Sequence, residues 1–181
     1  MRIHYFIISL LLANMLSACE QKKDPALLKE YKGPLATFEN IRTLFSDSAV
    51  VRMVLEAPVQ LDFKNGNRVF PKGIHIHFFE KDGSKYAELT ANSATFDATK
   101  KLYTAKGNVI VSNAFKKEKL NTEKLFWNPD EKRVFTDNFV KIETEEEILQ
   151  GQGLEAAQDF STYKILKPTG VFSLDNENEE E

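Results

Sequence analysis

Three groups of side chains have types and spacings that suggest chemistry. His75 and His77 stand two apart in the run Ile74–Phe79. On a strand, residues i and i+2 leave the same face, so the two imidazoles would lie side by side as a metal pair requires. Completing a site takes further ligands. His4 and Cys19 fall in an N-terminal segment with a different reading, and no spacing points to particular carboxylates. The pair is therefore expected to be exposed or edge-facing, with no metal site and no cofactor. Glu143, Glu145, Glu146 and Glu147 concentrate four carboxylates. A glycosidase needs two acids separated across a cleft, and a run this tight reads as a solvated loop between strands. There is no Gly-x-Ser-x-Gly elbow, P-loop, His-Glu-x-x-His or dinucleotide-binding glycine fingerprint. No enzyme is expected.

Cys19 is the third group, and it is the only cysteine, which excludes an internal disulfide. Met1 and Arg2 give a short positive start, Ile3–Leu16 is mostly apolar, and Leu16-Ser17-Ala18-Cys19 ends the run in small residues. This is the layout of a secretory signal over residues 1–18. Leu16-Ser17-Ala18-Cys19 also resembles the bacterial lipobox, which implies cleavage before Cys19 and acylation of its thiol. The apolar run is short for a membrane span, which takes about 20 residues. Residues 19–35 are polar and carry Pro25, Gly33 and Pro34, so they read as a tether.

The elements that must position everything else are strands. Asp97, Asn128 and Asp159 each open a turn and recur every 31 residues, as do Ala94, Leu125 and Ala156, and Val109, Val140 and Val171. Each unit is an alternating run, a polar turn and a second alternating run. A unit that cannot bury its own apolar face must stack on its neighbours. Upstream, Ile41–Phe45 and Ala49–Ala57 read as strands, with Pro58 ending the second run or marking an edge. Val59–Phe63 reads as a short strand, Asn65-Gly66 as a turn, and Lys81–Ser84 as a hairpin loop. Ile74, Ile76 and Phe78 share one face. Gly151 and Gly153 suggest a bend or close backbone approach within a strand. No helical pattern follows Cys19, and strands recur about every 8–12 residues, the spacing of an all-β sandwich, jelly roll or barrel. The domain is expected over residues 36–173, with an acidic disordered tail over 174–181.

Composition fits one domain: 181 residues, 42% hydrophobic and 28% charged, with 14 Phe concentrated in the β-patterned part. The formal net charge is −3, and removing residues 1–18 takes away only Arg2, leaving 23 basic against 27 acidic residues. No basic patch stands out, so nucleic acid is not an expected partner.

Several segments together carry a family resemblance. Leu120-Asn121-Thr122-Glu123-Lys124-Leu125-Phe126-Trp127, Val134-Phe135-Thr136-Asp137, Phe139-Val140-Lys141-Ile142 and Gly151-Gln152-Gly153-Leu154-Glu155-Ala156 resemble the LptC family of lipopolysaccharide export proteins. Ala105-Lys106-Gly107-Asn108-Val109 is similar to that family's Gly-Asn-Val segment. Phe70-Pro71-Lys72-Gly73 and Leu125-Phe126-Trp127 are similar in style to Bacteroidetes-type members. The resemblance spans Tyr31–Ser173. It implies an all-β, twisted open β-jelly roll (OstA/LptA-like) built from repeated antiparallel strand pairs, after a signal-peptide helix and tether. It also implies a periplasmic protein beside an inner-membrane ABC transporter, which takes lipopolysaccharide from that transporter and passes it to an LptA-like bridge protein by edge-strand pairing. The best-known members carry a transmembrane helix where this chain has a lipobox, so the anchor expected here is lipid, in the inner membrane. On this reading the inward side chains line a lipid path: Phe78, Leu89, Phe96, Val109, Val111, Leu125, Trp127, Val140, Ile142 and Leu154. The alternative is a membrane-tethered β-roll adaptor without lipid cargo.

Overall fold

The computed structural model describes residues 31–170. The signal segment, Cys19, nearly all of the tether, Val171 and the acidic tail lie outside the described residues. Eleven strands follow one another: β1 (Ala36–Asp47), β2 (Val50–Asp62), β3 (Arg68–Phe70), β4 (Ile74–Phe79), β5 (Lys85–Ala91), β6 (Ser93–Asp97), β7 (Leu102–Asn113), β8 (Glu118–Asn128), β9 (Arg133–Glu143), β10 (Ile148–Ala157) and β11 (Tyr163–Thr169). There is no helix among the described residues.

All pairings are antiparallel and join the strands into one sheet. The short strands work in tandem. β4 and β3 both pair with β2, β5 and β6 both pair with β7, and they pair with each other as β4–β5 and β3–β6. The sheet is thus a row of long ranks, two of them built from two short strands end to end. β8, β9, β10 and β11 continue the row as plain hairpins, and β1 flanks β2 on the other side. Among the described residues β1 and β11 are edges with one partner each, and the sheet is not a closed barrel.

An interruption crosses the ranks from β1 to β10 at about the same level. Asn40 (φ 50°) stands opposite Pro58, Gly73 (φ 93°) divides β3 from β4, and Asn92 divides β5 from β6. Gly107 (φ 74°) and Asn108 (φ 45°) form a bulge in β7 where the register with β8 shifts, and further shifts lie between Thr122 and Phe126 and between Gln152 and Leu154. Bulges bend a strand and sharpen its twist, so a line of them folds the sheet. Side chains satisfy the backbone groups that the bulges release. The Thr122 hydroxyl donates to the Phe139 carbonyl at 2.8 Å, and the Asn138 amide donates to Thr136 Oγ1 at 3.1 Å. Thr122 and Thr136 are two of the few buried polar residues.

The fold brings distant ranks together. Phe45 of β1 meets Trp127 of β8 edge-on, with centroids 6.3 Å apart, although β1 and β8 are not neighbours in the sheet. Lys116, in the β7–β8 turn at one end of the ranks, donates to the carbonyls of Phe160 and Ser161, in the β10–β11 turn at the other end, both at 3.0 Å. One continuous core results. It runs from Met53, Leu55 and Ile76 through Val109 and Val140 to Leu125, Leu154 and Phe160.

The 31-residue period has a local cause at both ends of the ranks. Asp97, Asn128 and Asp159 each accept backbone amides two residues on, and Asp97 and Asn128 a second one three on, with N···O of 3.0–3.2 Å. Asp82, Asn113 and Thr144 do the same at the opposite turns. These Asx- and ST-turns restart each hairpin in the same phase. Buried Ala94, Leu125 and Ala156 keep the same phase inside. Pro58 does not end its strand, and it is not on an edge strand. β2 runs through it, because its missing amide falls at the break between β4 and β3. β1 likewise begins at Ala36, before the apolar run, because Ala36–Glu39 pair with Val59–Asp62.

Candidate functional site

Between the two arms of the folded sheet lies a cavity of about 360 Å³, within the size range of small-molecule sites. One arm contributes Met53, Leu55, Ile76, Phe78, Tyr86 and Leu89, and the other Phe70, Tyr103, Leu125, Trp127 and Val134. Phe45 and Phe160 contribute from β1 and the β10–β11 turn. Its polar groups are few. Asp47, Arg52, Gln158 and Asp159 are among them, and Arg52 Nη1 is buried with no hydrogen-bond partner among the described residues.

An aromatic ladder stiffens one wall. Register places Arg68, Phe96, Tyr103 and Trp127 side by side on four consecutive ranks. The Arg68 guanidinium sits 4.9 Å from the Phe96 ring, Phe96 lies 4.5 Å from Tyr103, and Tyr103 stacks on Trp127 at 4.8 Å. Such cross-strand pairs lock register as well as packing. The Trp127 indole N–H reaches Gln158 Oε1 at 3.4 Å. Burial pushes the Tyr86 phenol up to about 12, helped by Asp159 and Glu80, and it also raises Tyr103. Burial would raise Asp159, but hydrogen bonds from Ser161 and the nearby Lys116 outweigh it and hold that carboxyl below its ordinary value.

The ten candidate lining residues separate by place. Phe78, Leu89, Leu125 and Trp127 face the cavity. Val109, Val111, Val140, Ile142 and Leu154 are buried in the core, and Val109, Val140 and Leu154 are 0% exposed. Phe96 lies outside both, in the ladder. Sequence reasoning missed Phe45, Phe70, Tyr103 and Phe160. Tyr103 had a usable signal, since it shares the parity of buried Ala105 in β7. Phe45 and Phe160 had none, because only the folding over of the sheet brings them in.

A family model described as lipopolysaccharide-assembly, LptC-related, matches residues 5–169. The chain belongs to the LptC-related family. The match takes in every described strand. Membership gives the chain a role in lipopolysaccharide transport, with lipopolysaccharide and the transport machinery as its partners. LptC-related proteins are non-enzymatic transport components, periplasmic and associated with the inner membrane. No curated protein matches the chain.

Proposed function

We propose that this protein takes lipopolysaccharide from an inner-membrane ABC transporter, holds its acyl chains between the arms of the folded sheet, and passes it to a periplasmic bridge protein of related fold. The fold is on this reading a twisted open jelly roll of the LptA-like kind. The anchor is an acyl group on Cys19, as in a lipoprotein of Bacteroidetes type. The apolar cavity inside a member of this family carries the reading. Acyl chains gain about 0.8 kcal/mol per methylene removed from water, and the cavity offers aromatic and aliphatic walls for that transfer. The Arg52 guanidinium in the same wall, whose Nη1 has no partner among the described residues, suits a lipid phosphate, which a guanidinium binds in a fork. The open edges β1 and β11 suit strand addition by partners.

The test is photocrosslinking in cells. A photoreactive residue at Phe78 is expected to give lipopolysaccharide adducts, and one at Phe115, exposed in a turn, none. Trp127→Glu should cut the Phe78 adduct severalfold while strand content by circular dichroism is retained. Normal adducts in that variant would remove Trp127 from the lipid path. An adaptor without cargo would give no adduct from any cavity position.

A further inference from the structure

On the face of β4 turned away from the cavity, register gathers an unexpected set of donors. Glu56 of β2 pairs with His75, and His77 pairs with Glu88 of β5, so all four side chains share one face across three adjacent ranks. One ligand atom from each of Glu56, His75 and His77 lies within 4.8 Å of the others. His77 Nε2 is 3.7 Å from Glu56 Oε2, and His77 Nδ1 is 3.9 Å from Glu88 Oε2. Neither separation is a hydrogen bond. His77 Nδ1 is buried without a hydrogen-bond partner among the described residues. The two rings sit 4.0 Å apart and tilted by 51°.

We infer that Glu56, His75 and His77 form a binding site for a divalent transition-metal ion of the Zn²⁺ class, with Glu88 positioning His75. Two imidazoles and one carboxylate are a donor set that Zn²⁺ takes, with a fourth position left for water. Zinc bonds of about 2.0–2.2 Å in a tetrahedron bring ligand atoms within about 3.5 Å of one another, so the cluster must close by roughly an ångström. The His75 and Glu56 side chains, 40% and 43% exposed, can rotate that far toward the more buried His77, and the backbone already sets all three on one side. Arg42 Nε holds Glu56 Oε1 at 3.2 Å, which leaves Oε2 toward His77. Glu88 Oε2 lies 3.1 Å from His75 Nε2 and 3.2 Å from Lys85 Nζ, which fixes the ring and balances the carboxylate. A carboxylate behind a ligating imidazole is the usual supporting arrangement at zinc sites. The ion would join β2 to β4 beside Pro58 and Gly73, where the sheet bends, so it would pin one arm at the bend.

The experiment uses the full chain in detergent, without a polyhistidine tag and stripped of metal. Zn²⁺ is titrated against a chromophoric chelator, and Co²⁺ uptake is followed by visible absorption. The expected result is one Zn²⁺ per chain, a tetrahedral Co²⁺ spectrum, and a rise in Tm on adding Zn²⁺. His77→Ala and His75→Asn should lose all three, Glu88→Gln should weaken binding roughly 10–100-fold, and Glu146→Gln should change nothing. Circular dichroism checks that each variant is folded. His75 is the least buried histidine of the pair, so His75→Asn remains informative if His77→Ala fails to fold. Absence of stoichiometric uptake by the unaltered chain overturns the site, and so does uptake that survives in the folded His75→Asn variant.

Discussion

Single residues show how the interior combines apolar walls with a few polar groups. Tyr86 is buried, and its phenol is pushed up to about 12. The folded chain therefore keeps a proton that the unfolded chain releases near pH 10. Below pH 10 both forms are neutral and Tyr86 adds no pH dependence. Between about pH 10 and 12 stability falls as pH rises. Tyr86→Phe should flatten that alkaline loss, read as the urea midpoint at successive pH values. Tyr103 and Tyr163 are raised as well, so the slope should shrink rather than vanish. An unaltered slope in Tyr86→Phe would place the titration elsewhere. The inward position of residues such as Leu89 and Val109 was legible, because alternation along a strand is a local rule. The cavity position of Phe45 was not, since it depends on β8 coming around to meet it.

Among the elements, β10 shows a bend built into a strand. Gly153 has φ +84°, and a Cβ at Gly151 would stand 2.3 Å from the Lys167 carbonyl oxygen and 2.6 Å from Ile165 Cγ2. Both neighbours belong to β11, which pairs with β10 at these residues. Gly151→Ala must therefore push β11 away from β10 at a cost of about 1–3 kcal/mol. Hydrogen exchange should quicken across Tyr163–Thr169 and stay slow in β7–β9. Uniform quickening would mean that β11 and the rest open as one unit. The two glycines were readable as a bend or close approach, because glycine in a strand interior has few other uses. That β11 is what lies so close required the register.

At the scale of the whole sheet, the decisive features are its fold and the two edges it has among the described residues. Phe38 on β1 is 46% exposed and Leu166 on β11 is 45% exposed, so each edge carries an apolar side chain in water. An edge with unpaired backbone groups and exposed apolar residues is suited to strand addition. In cells with the complete transport machinery, photocrosslinkers at Phe38 and Leu166 should capture protein partners, and one at Phe115 should not. Capture from Phe115 alone would move the docking site to the turns and away from the edges.

The sequence by itself determined the all-β character, the antiparallel hairpins and the 31-residue phase of their turns. Each of these follows from interactions within a few residues: side-chain alternation, and Asx oxygens accepting amides two or three residues on. The tertiary structure decided what depends on which distant strands become neighbours. The aligned interruptions fold the sheet, open a cavity between its arms, and bring Glu56 and Glu88 to His75 and His77. No local pattern encodes those meetings, because register between strands is set by the packing of the whole apolar face.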